Sequence, residues 1–227
     1  MDMADCIPNY KDAVWSFYRY EPSVAGAVIF CILLGITSGL HAFQMYTTRT
    51  WYLIALVVGG LCECIGYIAR SVNATEQPGC WSLGAYIAQN VLILIAPAFM
   101  AASIYMILGR IIILTDGDSH SLVRRRWITK IFVTGGVSSL QMQSTGGGLM
   151  AAGESLLKTG ENIIIAGLFV QLAFFGFFVV AAGVFHRRMS LVPTAKASDP
   201  AVRWQKYLMT LYVTSALILV RSIFRVI

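Results

Sequence analysis

The chain has 227 residues, of which 57% are hydrophobic and 12% are charged. A water-soluble domain carries about 25% charged residues, so this composition excludes a protein whose whole surface faces water. The net charge of +6 does not indicate nucleic-acid binding, because the basic residues lie between apolar segments and do not form one patch. The composition therefore predicts an integral membrane protein.

The first 23 residues form a polar tail with four acidic side chains. They lack the basic start and the short apolar core of a signal peptide, so the first apolar run both targets and anchors the chain. One helical domain is predicted over residues 24–227, and no separate soluble domain follows the tail.

Six apolar runs follow in chain order. They cover residues 24–44, 52–69, 83–108, 131–151, 163–185 and 207–226. Each run is about long enough to cross roughly 30 Å of hydrocarbon as a helix. Each of the five tryptophans lies just before one of the runs, as amphipathic rings at the headgroup level do. The predicted fold class is an all-α, polytopic transmembrane helix bundle with six spans.

The basic residues predict the orientation of the chain. Eleven of the seventeen Lys and Arg residues lie in the loops after spans 1, 3 and 5. The positive-inside rule assigns these loops to the cytosol and the N-terminal tail to the extracytoplasmic side. The loop after span 2 is then outside and contains a candidate glycosylation site, Asn73. Cys6 and Cys80 also lie outside, where they either pair as a disulfide or remain two surface thiols.

A carboxylate in the second span is the most costly group in the sequence. Glu63 lies in the middle of that span, where an ionised side chain costs about 3 kcal/mol. We expect it to face the protein interior, and Arg221 in span 6 is a plausible partner. Two interpretations remain open, a buried pair that fixes helix packing and a site for a cationic or amphiphilic ligand.

Spans 3, 4 and 5 contain one glutamine each: Gln89, Gln143 and Gln171. Their amides either form interhelical hydrogen bonds or line a polar pathway. Gly146-Gly147-Gly148 in span 4 either weakens the helix or allows the close approach of another backbone or a ligand. Gly35-x-x-x-Gly39 predicts a packing face on span 1.

The search for catalytic chemistry is largely negative. The sequence has three histidines, and none can be assigned to a zinc motif or beside a carboxylate. It contains no phosphate-binding loop and no nucleophile elbow. We therefore expect a protein that is not an enzyme, with no catalytic residue, no bound metal and no cofactor.

Several motifs together resemble one family. They are Glu63-x-x-Gly66-Tyr67-x-x-Arg70 in span 2, Gln89 with Ala96-Pro97 in span 3, Ser139 and Gln143 before the triple glycine of span 4, Gly167-Leu168-x-x-Gln171 in span 5, and Arg221-Ser222-x-Phe224-Arg225 in span 6. This combination resembles the fungal lipid-translocating exporter family, the aminocholesterol-resistance-like or RTA-like proteins, over about the whole chain.

The resemblance implies a seven-span protein that exports or flips amphiphiles, such as sphingoid long-chain bases, or gives resistance to sterol-like amines. Its partners would be membrane lipids or amphiphilic small molecules. Its location would be the plasma membrane or an endomembrane. The sequence indicates no oligomeric state. The expected substrate-binding residues are Glu63, Tyr67, Gln89, Gln143, Gln171 and Arg221. A receptor-like sensor of lipid or membrane stress without transport activity is the alternative.

Two positions depart from the family pattern. Gly136 stands where the family usually has an aspartate, so one expected acidic group is missing from span 4. The sequence ends at Ile227, where the family usually continues into a seventh span, so we expect six of seven spans here.

Overall fold

The computed structural model describes residues 18, 21–77, 79–123, 125–152, 156–199 and 202–226. These residues form six long helices: α1 (Val24–Thr48), α2 (Ile54–Thr75), α3 (Leu83–Leu114), α4 (Arg125–Ala152), α5 (Leu157–Leu191) and α6 (Trp204–Val226). The described part contains no strand. The predicted all-α class is confirmed, and one helix covers most or all of each apolar run.

Several helices extend beyond the apolar run that predicted them, because backbone hydrogen bonding continues into polar sequence at the ends. In α1 the hydroxyl of Ser23 accepts a hydrogen bond from the N–H of Gly26 at 3.3 Å, which caps the first turn. The helix ends when Arg49 adopts a left-handed conformation with φ of 53°. α1 therefore continues to Thr48, beyond the predicted boundary at residue 44.

Five of the helices, α1, α2, α3, α5 and α6, contain segments long and apolar enough to cross a membrane. α4 is long enough with 28 residues, but it is rich in glycine, serine and glutamine and does not belong to this set. The predicted fourth run is thus a helix, and its role as a sixth span stays a prediction. The reason is its composition, since α4 carries small and polar side chains where it packs along α5.

The chain divides into two compact units, Met1–Phe99 and Met100–Ile227, where the sequence predicts a single helical domain. The boundary falls inside α3, which is a continuous helix through Pro97. In the first unit α1 packs along α2, and in the second α5 packs against both α4 and α6.

Small residues bring α1 and α2 together in the first unit. A Cβ atom on Gly60 would collide with the hydroxyl of Ser38, so the two helices are in close contact there. A Cβ on Gly35 would lie 3.6 Å from the sulfur of Cys64, whereas one on Gly39 would meet nothing within 4 Å among the described residues. The packing face is therefore formed by Gly35 and Ser38, and the predicted role of Gly39 is wrong because its position is turned away from α2.

An aromatic layer forms the centre of the second unit. Tyr105, Phe132, Phe175 and Phe178 are all buried and come from α3, α4 and α5. The ring of Phe178 lies edge-on to those of Tyr105 and Phe132, with centroid distances of 4.7 and 5.4 Å. Such contacts add stability beyond area burial, so this layer holds the three helices together.

Candidate functional site

Glu63 is a buried residue of α2. Its side chain is 4% exposed, and the glycines at positions 59, 60 and 66 are buried as well. A Cβ on Gly66 would lie 2.8 Å from Cγ1 of Ile93, so α3 approaches α2 closely one turn from the carboxylate. The burial agrees with the expectation that Glu63 faces the protein.

Tyr67 follows Glu63 by one helical turn. Its ring stacks on that of Phe30 in α1, with 5.4 Å between centroids and 19° between planes. The half-buried phenol therefore lies at the α1–α2 contact. Glu63 and Tyr67 share one helix, and these two predicted site residues lie within one turn of each other.

Gln89 is occupied by a residue from the N-terminal tail. The hydroxyl of Tyr18 donates a hydrogen bond to Oε1 of Gln89 at 2.6 Å, and both side chains are buried. The rings of Trp81 and Tyr86 contact the Tyr18 ring edge-on, at 5.0 and 5.3 Å. Sequence reasoning missed this role of Tyr18, because a contact across 71 positions has no local signal.

The Tyr18 phenol is held in its protonated form. Burial raises the pKa of Tyr18 above its ordinary value of 10.0, and this effect outweighs the nearby charge of Arg70, which lowers it. The phenol therefore donates to Gln89 throughout the physiological pH range.

Asn73, the predicted glycosylation site, is fully buried. With its Nδ2 directed to Ser82 Oγ (3.0 Å) and Glu76 Oε2 (3.3 Å), its Oδ1 accepts from the backbone N–H of Tyr86 at 3.1 Å. This orientation satisfies the whole amide, and we assign it on that ground. A glycan could be attached only if this amide left its buried position, and glycosylation of the sequon stays a prediction.

Of the two cysteines predicted to pair, Cys6 and Cys80, the structure describes Cys80. Cys80 is disulfide-bonded, whereas Cys31, Cys62 and Cys64 are free thiols. Cys6 lies outside the described residues, so its pairing with Cys80 stays a prediction.

Gln143 and Gln171 form an interhelical hydrogen bond in the second unit. Nε2 of Gln143 in α4 donates to Oε1 of Gln171 in α5 at 3.1 Å. Gln143 is 2% exposed, and its Oε1 accepts no hydrogen bond from any described residue. Gly167 makes room for this amide, because a Cβ there would lie 2.9 Å from Cγ of Gln143. The site therefore offers one buried acceptor.

Arg221 lies half-buried on α6 in the second unit, whereas Glu63 belongs to the first. The predicted Glu63–Arg221 pair therefore stays a prediction. Among the described residues, no three His, Cys, Asp or Glu side chains are grouped so that they could hold a metal ion.

Comparison with known families identifies the family of the chain. The family described as RTA1 like protein matches residues 56–227, well over half of the chain. The chain belongs to the RTA1-like family. This match confirms the resemblance read from the motifs, and it includes all six expected substrate-binding residues while leaving out Tyr18. The RTA1-like chain is an integral membrane protein.

Curated relatives of this RTA1-like chain are fungal. It is 33% identical to "Protoporphyrin uptake protein 1" of Saccharomyces cerevisiae, with 95% of this chain and 81% of the relative covered. It is 29% identical to "Lipid-translocating exporter-like protein RTA1" of Leptosphaeria maculans, covering 94% of this chain and 42% of the relative. It is 26% identical to "Sphingoid long-chain base transporter RSB1" of S. cerevisiae, covering 70% of this chain and 42% of the relative. No solved structure matches the chain.

Proposed function

We propose that this RTA1-like protein moves cationic amphiphiles, such as long-chain bases, across the plasma membrane or an endomembrane, and that Glu63 binds their cationic head group. The observation that carries the proposal is the burial of Glu63 within an apolar helix. A buried carboxylate is costly, and an ionisable residue at that depth is a functional candidate because a cation offsets the cost. Two relatives bear the names of a lipid-translocating exporter and of a long-chain base transporter.

The glutamines supply the neutral polar contacts in this proposal. Oε1 of Gln143 accepts no hydrogen bond within the described part of the chain, and it would accept one from a hydroxyl or ammonium group of the substrate. Gln89 already accepts from the Tyr18 phenol, so a substrate hydroxyl would take the place of that phenol. Tyr67, Gln171 and Arg221 complete the proposed set, and no catalytic step is assigned, since movement leaves the substrate unchanged.

The test measures the movement of a fluorescent long-chain base across vesicles that contain the purified protein. We expect Glu63→Gln to slow this movement about tenfold, since charged hydrogen bonds contribute about 1.5–3 kcal/mol. Glu161→Gln is the matched control, because Glu161 is an exposed carboxylate on α5. A neutral N-acetylated analogue of the same chain length should move at a rate that Glu63→Gln does not change.

The outcomes separate the proposal from its rival. Equal rates in wild-type vesicles and in empty vesicles would remove the translocase function. Saturable binding of the base without movement would then favour a receptor-like sensor. Equal slowing of the base and its neutral analogue would remove the cation-binding role of Glu63.

A further inference from the structure

Two thiols face each other across the α1–α2 contact. Sγ of Cys31 lies 3.7 Å from Sγ of Cys64, and the latter also lies 3.6 Å from the carbonyl oxygen of Cys31. If the Cys64 thiol donates to that carbonyl, the Cys31 thiol is directed at the Cys64 sulfur, and both hydrogens are satisfied. Both side chains are free and half-buried.

The helices are already close enough at this point for a bond between the sulfurs. A Cβ on Gly35, one turn beyond Cys31, would lie 3.6 Å from the Cys64 sulfur, so this sulfur lies against α1. A disulfide requires about 2.05 Å between sulfurs, so the pair would close by about 1.7 Å. Rotation of the two side chains about their Cα–Cβ bonds is the movement that would bring the sulfurs together.

We propose that Cys31 and Cys64 are a redox modification site within the membrane that lipid peroxyl radicals oxidise to a reversible disulfide. Cys31 lies seven residues into α1 and Cys64 lies eleven residues before the end of α2. At 1.5 Å per residue these positions are about 10 and 16 Å from the helix ends, and both helices are long and apolar enough to cross a membrane.

The depth of the pair selects the oxidant. Reaction with hydrogen peroxide needs a thiolate, and a charged sulfur is costly in hydrocarbon. A lipid peroxyl radical is neutral, forms within the acyl chains and takes a hydrogen atom from a neutral thiol. The chemistry of the pair therefore fits a lipid-borne radical better than a water-borne peroxide.

The reaction balances without any charged species. Each of two peroxyl radicals takes one hydrogen atom from one thiol and becomes a lipid hydroperoxide. The two resulting thiyl radicals combine, and one S–S bond forms. Two S–H bonds break and two O–H bonds form. Once the chain is denatured, a dithiol reduces the S–S bond, restores both thiols and is itself oxidised to a disulfide.

Cys62 supplies an internal control. It is a free, half-buried thiol on the same helix, two residues before Cys64. Two residues correspond to about 200° of rotation around the helix, so Cys62 is at a similar depth and points away from Cys31.

The test uses the full chain in vesicles of polyunsaturated phosphatidylcholine, with a lipid-soluble radical initiator. Thiols are alkylated under denaturing conditions before and after reduction, and the peptides are mapped by mass spectrometry. We expect Cys31 and Cys64 to lose at least half of their labelling together and to regain it with dithiothreitol, while Cys62 keeps its labelling. Cys62→Ser should leave the reaction intact, and in Cys31→Ser reducible oxidation of Cys64 should disappear.

Three results would overturn the inference. One is unchanged labelling of Cys31 and Cys64 in the wild-type chain, a result that needs no variant to fold. Another is equal, reducible loss at Cys64 when Cys31 is serine. The third is faster oxidation by aqueous hydrogen peroxide than by the lipid-soluble initiator, which would exclude the radical route.

Discussion

Gln143 and Gln171 show how a buried amide depends on its neighbour. The sequence identifies both residues, because polar side chains stand out in apolar runs. It does not identify the pair, since the same reasoning applies to Gln89, whose partner is Tyr18. Which amides meet depends on the rotation of each helix about its axis, and no local pattern specifies that rotation.

The two glutamines should respond differently to substitution. Gln171→Leu leaves the deeply buried Gln143 without its hydrogen-bond partner, and we expect it to destabilise the protein by about 1–2 kcal/mol. Gln143→Leu removes that amide together with an oxygen that has no partner among the residues the structure describes, so it should cost less. Unfolding in detergent, followed by helix content against denaturant concentration, measures both.

The double variant is the control for this pair. We expect it to be more stable than Gln171→Leu alone, because no buried amide is then left without its partner. If Gln143→Leu proves the more damaging change, the Gln143 oxygen has a partner in the native protein.

Within the triplet Gly146-Gly147-Gly148 of α4, one glycine is in close contact with α5. A Cβ on Gly146 would lie 2.6 Å from the backbone oxygen of Gly160, whereas one on Gly147 or Gly148 would meet nothing within 4 Å in the described part of the chain. The sequence leaves open whether this triplet weakens the helix or allows a close approach, and the structure shows a continuous helix with a close approach at Gly146. Successive residues point about 100° apart, so only one of three neighbours can face α5.

Alanine substitutions separate these positions. We expect Gly146→Ala to destabilise the protein by about 1–3 kcal/mol, because a backbone oxygen cannot rotate away from the new methyl group. Gly147→Ala should be neutral or stabilising by up to about 1 kcal/mol, since alanine favours the helix and the position is open. Thermal unfolding in detergent compares them, and equal effects would contradict the α4–α5 packing.

The orientation of the whole chain depends on charge in the loops. Five basic residues lie between spans 3 and 4 and five between spans 5 and 6, which predicts that both loops are cytosolic. Two exposed positions are suitable for insertions. Gln77 lies between α2 and α3, and Ser198 lies between α5 and α6. Exposed loop positions tolerate short insertions, so the orientation can be measured in the intact chain.

A protease-protection experiment tests this orientation. The chain is synthesised into sealed microsomes with an epitope inserted after Gln77 or after Ser198. If the predicted orientation holds, protease removes the epitope after Ser198, and it reaches the epitope after Gln77 only when detergent is added. The opposite pattern would place the N-terminal tail in the cytosol and reverse the proposed topology.

The sequence by itself determined the class of this protein. A run of about 20 apolar residues must become a helix in a membrane, because its backbone polar groups have no water to bond. That requirement is local, so composition and run length are sufficient, and the motifs of spans 2 to 6 were sufficient to indicate the RTA1-like family.

Only the tertiary structure decided which side chains meet. The hydrogen bond from Tyr18 to Gln89, the approach of Gly146 to Gly160 and the contact of Cys31 with Cys64 all join separate segments of the chain. Each depends on how far one helix is turned and shifted against its neighbour. Packing of many small contacts sets those values together, and no single run of sequence contains them.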